Sequence, residues 1–169
     1  MTASDLLAKA AMLEGKYVQS FPEFGPERMG APIRAFTRIS DRPINLHCTI
    51  YEPHIVVVLD STLLKTIPVT EGLQKGGTLI VNTRETTPEL LEQTKLVGCK
   101  LWTVSATEIA VKISGTGITN TAMLGAVARA ATVVNLASLE QTIRGRFSPK
   151  IAEKNLEIMK QAYRGAKLA

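Results

Sequence analysis

A chain of 169 residues, 45% hydrophobic and with a formal net charge of +5, can bury one ordinary core, and it has no apolar run near the ~20 residues that a bilayer-crossing helix needs. The opening Met1-Thr2-Ala3-Ser4-Asp5 has neither the basic region nor the apolar core of a secretion signal, so a soluble protein of the reducing cytoplasm is expected, with no membrane partner. Aromatic residues make up 5% of the chain, which leaves little for base stacking and argues against a nucleic-acid partner.

Residues 2–15 predict a helix, because Leu6, Ala10 and Leu13 recur at helical spacing, Thr2 or Ser4 can cap it and Gly15 can end it. A loop rich in Gly and Pro follows over 21–32, and the alternating Ile33-Arg34-Ala35-Phe36-Thr37-Arg38-Ile39 predicts a half-exposed strand. After the turn Asp41-Arg42-Pro43, a second strand over 44–49 is expected to close a hairpin with it. The pattern then becomes short β-branched strands, at 54–59, 78–82 and 100–104, separated by helix signals. Val56-Val57-Val58 reads as a strand buried on both faces. Thr87-Pro88-Glu89 supplies an N-cap, a proline at the first helical position and an early acid, with Gly98 marking the end of that helix. Helices are expected over 121–134, 136–144 and 149–166, the last capped by Ser148. The fold class is therefore α/β: a mostly parallel sheet flanked by helices, a β-hairpin region and a helical C-terminal third, in one domain over 1–169.

The sequence contains two cysteines, Cys48 and Cys99, too few for an iron–sulfur cluster, and His47 and His54 fall into no zinc spacing. No metal site is expected, and the cysteines read as small buried hydrophobes in strands. Basic residues gather near the end, from Arg144 and Arg146 through Lys150, Lys154, Lys160, Arg164 and Lys167. They suit an anionic partner, and with Glu153 and Glu157 between them they also suit a solvated helix face.

No catalytic set stands out, with neither a nucleophile elbow nor a complete P-loop. Three segments remain. Phe21-Pro22-Glu23-Phe24-Gly25-Pro26-Glu27-Arg28-Met29-Gly30-Ala31-Pro32 is more apolar than a solvent connector and carries Glu27 and Arg28; it fits a binding loop or a packed one. Gly115-Thr116-Gly117-Ile118-Thr119-Asn120 turns into a helix whose first N–H groups attract polar ligands, although an ordinary cap explains the same residues. Gly145-Arg146-Phe147-Ser148-Pro149-Lys150 leads into a helix carrying Asn155, a residue type that is often simply exposed there.

These segments, with Ala35-Phe36-Thr37-Arg38-Ile39, Tyr51-Glu52-Pro53, Thr70-Glu71-Gly72-Leu73 and Asn120-Thr121-Ala122-Met123-Leu124-Gly125, resemble the gamma subunit, or gamma domain, of the 2-oxoacid:ferredoxin oxidoreductases. The Phe-Pro-Glu-Phe-Gly and Arg-x-Gly-Ala-Pro wording looks closer to the pyruvate and branched-chain members than to the 2-oxoglutarate ones, and the resemblance is taken as one to the pyruvate type, pyruvate synthase. The resemblance implies an anaerobic, hetero-oligomeric enzyme that cleaves a 2-oxoacid on thiamine diphosphate, passes electrons through iron–sulfur clusters to ferredoxin and delivers the acyl group to coenzyme A. It places thiamine diphosphate, magnesium and the clusters on partner subunits, so this chain is not active alone and contributes no catalytic residue. It implies coenzyme A contacts at Arg28, Met29, Asn120 and Asn155. The family normally opens with a strand and a Gly-rich loop close to G-x-G-G-Q-G-A ahead of the helix that begins here at Thr2-Ala3-Ser4. Neither stands ahead of that helix here, so a gamma domain without them is expected, either because the start is cut or because this member has lost an anion-binding loop.

Overall fold

The computed structural model describes residues 3–23 and 33–169. Helix α1 (Ala3–Leu13) turns Leu6, Ala8, Ala10 and Ala11 inward, and Gly15 at φ +76° releases the chain from it. That left-handed conformation is one glycine adopts without a Cβ penalty. Strand β1 (Tyr17–Glu23) then pairs antiparallel with β2 (Arg34–Ser40), in register from Tyr17 opposite Ser40 to Glu23 opposite Arg34.

The hairpin partner of β2 is thus β1, and the expected strand over 44–49 does not form. Pro43 removes a ladder donor at its start. A side chain occupies the carbonyls beyond: the Arg38 guanidinium donates to the Cys48 and Thr49 carbonyl oxygens at 2.6 and 3.3 Å. The segment is therefore held by an arginine rather than by a neighbouring strand.

The main sheet has the order β3-β4-β5-β6. Strands β3 (Ile55–Val58), β4 (Thr78–Asn82) and β5 (Lys100–Val104) are parallel, and the short β6 (Lys167–Leu168) adds an antiparallel edge. Successive side chains alternate between faces. Val58, Leu79, Val81 and Leu101 meet Leu64, from a 3₁₀ turn over Ser61–Lys65, and Leu90 from α2 (Pro88–Thr94). Ile80 and Val104 face α3 (Ala106–Ser114), α4 (Asn120–Ala131) and α6 (Pro149–Gly165). A further core joins α1, α4, α6 and α5 (Leu136–Arg146), with Val18 and Ile39 of the hairpin packed on it.

All of β4 is buried, whereas in β3 only Val58 is. The expectation that β3 is covered on both faces fails because it is an edge strand, so an apolar run marks burial only where neighbours lie on both sides. The cysteines also depart from expectation. Cys48 is exposed in the irregular segment after β2, and Cys99 lies half-buried just ahead of β5, so neither is in a strand. Thr87 does cap α2, accepting a hydrogen bond from the Leu90 N–H at 3.1 Å, but that helix ends at Thr94 with Lys95 in the left-handed region, ahead of Gly98. Among the described residues no helix is long and apolar enough to cross a membrane.

Candidate functional site

Parallel strands end together, and the crevice outside their carboxyl ends is where open α/β sheets receive ligands. Here that crevice is a cleft of about 470 Å³ lined by Leu59, Asp60 and Ser61 after β3, Asn82 at the end of β4, Thr107 in the first turn of α3, and Gly117 and Thr119 ahead of α4. Its walls come from four separate stretches of chain, and a polar network ties the first three together.

Asn82 is the centre of that network and is 9% exposed. Its Nδ2 donates to the Leu59 carbonyl oxygen and to Thr107 Oγ1, both at 2.8 Å, and its Oδ1 accepts from the Thr107 N–H at 3.2 Å. The amide orientation follows from its neighbours, since a carbonyl only accepts and a backbone N–H only donates. Satisfying a buried amide so fully fixes the ends of β3 and β4 and the start of α3 against one another.

At the near wall Asp60 accepts from the hydroxyl of Thr62 at 2.7 Å and from its N–H at 2.9 Å, capping the 3₁₀ turn. These bonds, the hydroxyl first, hold the Asp60 carboxyl below its ordinary range, so it presents a carboxylate. A phosphate is disfavoured beside it; a hydroxyl or amide donor is not.

At the far wall, Ser114 Oγ lies 3.0 Å from Thr116 Oγ1 and accepts from the Thr116 N–H at 3.3 Å, which shapes the turn that Gly115 opens at φ +78°. That turn delivers Thr119 as the N-cap of α4 and Asn120 as its first residue. Asn120 is half-buried beside the cleft, and its amide hydrogen-bonds to no described residue. Asn155, on α6, is also half-buried and reaches the same helix start: its Oδ1 accepts from Thr121 Oγ1 at 2.8 Å, while its Nδ2 donates to the Ile151 carbonyl at 2.9 Å.

The structure thus brings Asn120 and Asn155 to one end of α4. Arg28 and Met29, with Glu27, lie outside the described residues. Asn82, Thr107 and Asp60 were not singled out from sequence. The available signal was positional, a polar residue closing an apolar strand and an Asp following another, at the ends where ligands collect. No cluster of three or more His, Cys, Asp or Glu side chains that could hold a metal occurs among the described residues.

The family model described as pyruvate ferredoxin/flavodoxin oxidoreductase matches residues 1–165. The chain belongs to that family. Among curated proteins it is 52% identical to the pyruvate/ketoisovalerate oxidoreductases common subunit gamma of Thermococcus litoralis, over 96% of this chain and 88% of that one. Among solved structures it matches pyruvate oxidoreductase subunit PORC from Thermotoga maritima, with a TM-score of 0.88, 39% identity, and 99% of this chain and 89% of that one covered. A 2-oxoglutarate:ferredoxin oxidoreductase from Magnetococcus marinus, solved with 2-oxoglutarate, coenzyme A and succinyl-CoA bound, shares the fold at a TM-score of 0.73. It does so at 14% identity, covering 96% of this chain and 28% of that one. The gamma subunits of this oxidoreductase family are parts of a multi-subunit enzyme, and this chain is such a subunit.

Proposed function

We propose that this gamma subunit helps to hold coenzyme A for the acyl-transfer step of a pyruvate-type oxidoreductase, using Arg28, Met29, Asn120 and Asn155. The carrying observation is the cleft at the carboxyl ends of β3 and β4, which Thr119 lines and beside which Asn120 stands with its amide uncommitted to any described residue. The Asp60 carboxylate at its near wall suits the uncharged parts of the coenzyme. Arg28, with planar, permanently charged donors, suits a phosphate or the pantetheine arm. The family resemblance assigns thiamine diphosphate with magnesium to a partner subunit, and the iron–sulfur clusters that pass electrons to ferredoxin are assigned there too, because two cysteines cannot supply the four thiolates a cluster generally takes. Free thiols at Cys48 and Cys99 fit a complex working in the reducing cytoplasm.

The test is steady-state kinetics on the reassembled complex. A charge-assisted contact contributes roughly 1.5–3 kcal/mol, so Arg28→Ala should raise the KM for coenzyme A about ten-fold or more while that for the 2-oxoacid changes little. Asn120→Ala should act in the same direction and less strongly. Size-exclusion chromatography checks assembly, and an intact complex whose coenzyme A constant is unchanged in both variants defeats the reading.

A further inference from the structure

The hydroxyl of Thr107 sits in an arrangement that the four residues above do not include. Its Oγ1 accepts from Asn82 Nδ2 at 2.8 Å, and no other bond engages that hydroxyl among the described residues. A hydroxyl that already accepts keeps one proton to give. Thr107 is exposed and lines the cleft, so the proton is available to a ligand there. Nor can the side chain easily swing away. Its backbone N–H is tied to Asn82 Oδ1 at 3.2 Å, its Cβ is branched, and its Cγ2 lies on the Gly117 side, 3.9 Å from where a Cβ on that glycine would stand.

We propose that Thr107 is a direct contact for coenzyme A, donating its hydroxyl proton to an acceptor oxygen of the ligand, and that Asn82 is the positioning residue that fixes the hydroxyl as a donor. This rests on the reading of the cleft as a coenzyme A site. An amide that spends both of its N–H groups on the protein has no proton left to give the ligand; its part is to orient the threonine. Both donors of Asn82 being spent is what leaves the Thr107 proton as the cleft's presented donor on that wall.

The experiment uses the reassembled complex, with coenzyme A kinetics on Thr107→Val, Thr107→Ser, Asn82→Leu and the pair Thr107→Val with Asn82→Leu, beside Asn120→Ala. Thr107→Val keeps the shape and deletes the hydroxyl, and should raise the KM for coenzyme A about five- to ten-fold, the loss of one neutral hydrogen bond, with the 2-oxoacid constant unmoved. Thr107→Ser should recover most of the affinity. Asn82→Leu should weaken coenzyme A binding too, and the double variant should be no worse than the weaker single one. Adenosine diphosphate and pantetheine used as competitive inhibitors identify which half of the ligand supplies the oxygen, as the one whose inhibition constant rises in Thr107→Val. An unchanged coenzyme A constant in Thr107→Val overturns the proposal, and so does an equal rise in Thr107→Ser. If Asn82→Leu does not assemble, the valine and serine pair still decides. A response to Asn120→Ala or Arg28→Ala without one to Thr107→Val sinks this contact and leaves the broader reading standing; no response in any of the three sinks both.

Discussion

Gly125 of α4 lies against the backbone of Met159 in α6, so closely that a Cβ added to it would stand 2.2 Å from the Met159 carbonyl oxygen. Backbone cannot yield as a flexible side chain can, so the two helices would have to part. Overpacking of this kind costs roughly 1–3 kcal/mol. Gly125→Ala should therefore lower the Tm by several degrees, at ~2–4 °C per kcal/mol for a chain of this size. Thermal melts of wild type and variant check it, and equal midpoints would show that the helices separate without cost.

Arg38 is expected to govern the irregular segment that follows β2. Its guanidinium donates to Gln19 Oε1 at 2.6 Å and to the Cys48 and Thr49 carbonyls, and lies 5.8 Å from the centre of the Phe21 ring. Arg38→Ala should release the segment, so that a non-specific protease cuts within residues 44–50 faster than in wild type. Arg38→Lys should restore only part of the protection, because an ammonium lacks the planar fork that serves several acceptors at once. Limited proteolysis followed by mass spectrometry reads both, and an unchanged cleavage rate in the alanine variant would contradict the assignment.

Much of the fold is legible in the sequence because its signals are local. Pro88 after Thr87, the β-branched runs at β4 and β5, and the helical spacing of the last third all act within a few residues. What escaped depends on distance along the chain. Nothing near Arg38 says that β1, rather than the segment beyond Pro43, completes the hairpin. Nothing in Val56-Val57-Val58 says that the strand lies at an edge. The site divides in the same way. Asn120 announces itself by following a Gly-rich turn, whereas Asn82 matters through bonds to Leu59 and Thr107, residues that only the folded sheet brings to it.

The Asp60 cap makes a pH prediction with a definite sign. Hydrogen bonds from Thr62 hold the folded carboxyl below its ordinary value. The stability it contributes is therefore fully present above the unfolded value of ~3.9 and is lost as pH falls through the lower folded one. Thr62→Val removes the larger cause and keeps the backbone bond, so the Asp60 pKa should rise part of the way back. NMR titration of the carboxyl measures this directly. A carboxyl that titrates identically in wild type and variant would rule out the hydroxyl as the cause.

The bond between Thr121 and Asn155 should be asymmetric in what its two halves cost. Thr121 is 2% exposed, while Asn155 is half-buried with a second bond to the Ile151 carbonyl. Removing the asparagine leaves a hydroxyl stranded in the core, a desolvation cost of about 1–3 kcal/mol. Removing the hydroxyl leaves an amide that water can still reach, so the cost is the smaller net value of the bond itself, about 1 kcal/mol. Asn155→Leu is thus expected to destabilise more than Thr121→Val. The double variant, with both polar partners gone, should be more stable than the sum of the singles predicts, by about 0.5–1.5 kcal/mol. Because the bond anchors the first turn of α4, next to Asn120, the same singles should also weaken coenzyme A binding if that helix start holds the ligand. Denaturant melts of the four proteins give the stability cycle, and coenzyme A titrations on the assembled complex give the binding one. Strict additivity in the first would mean that the 2.8 Å contact carries no energy. Coupling in the first with none in the second would confine Asn155 to holding the helix in place.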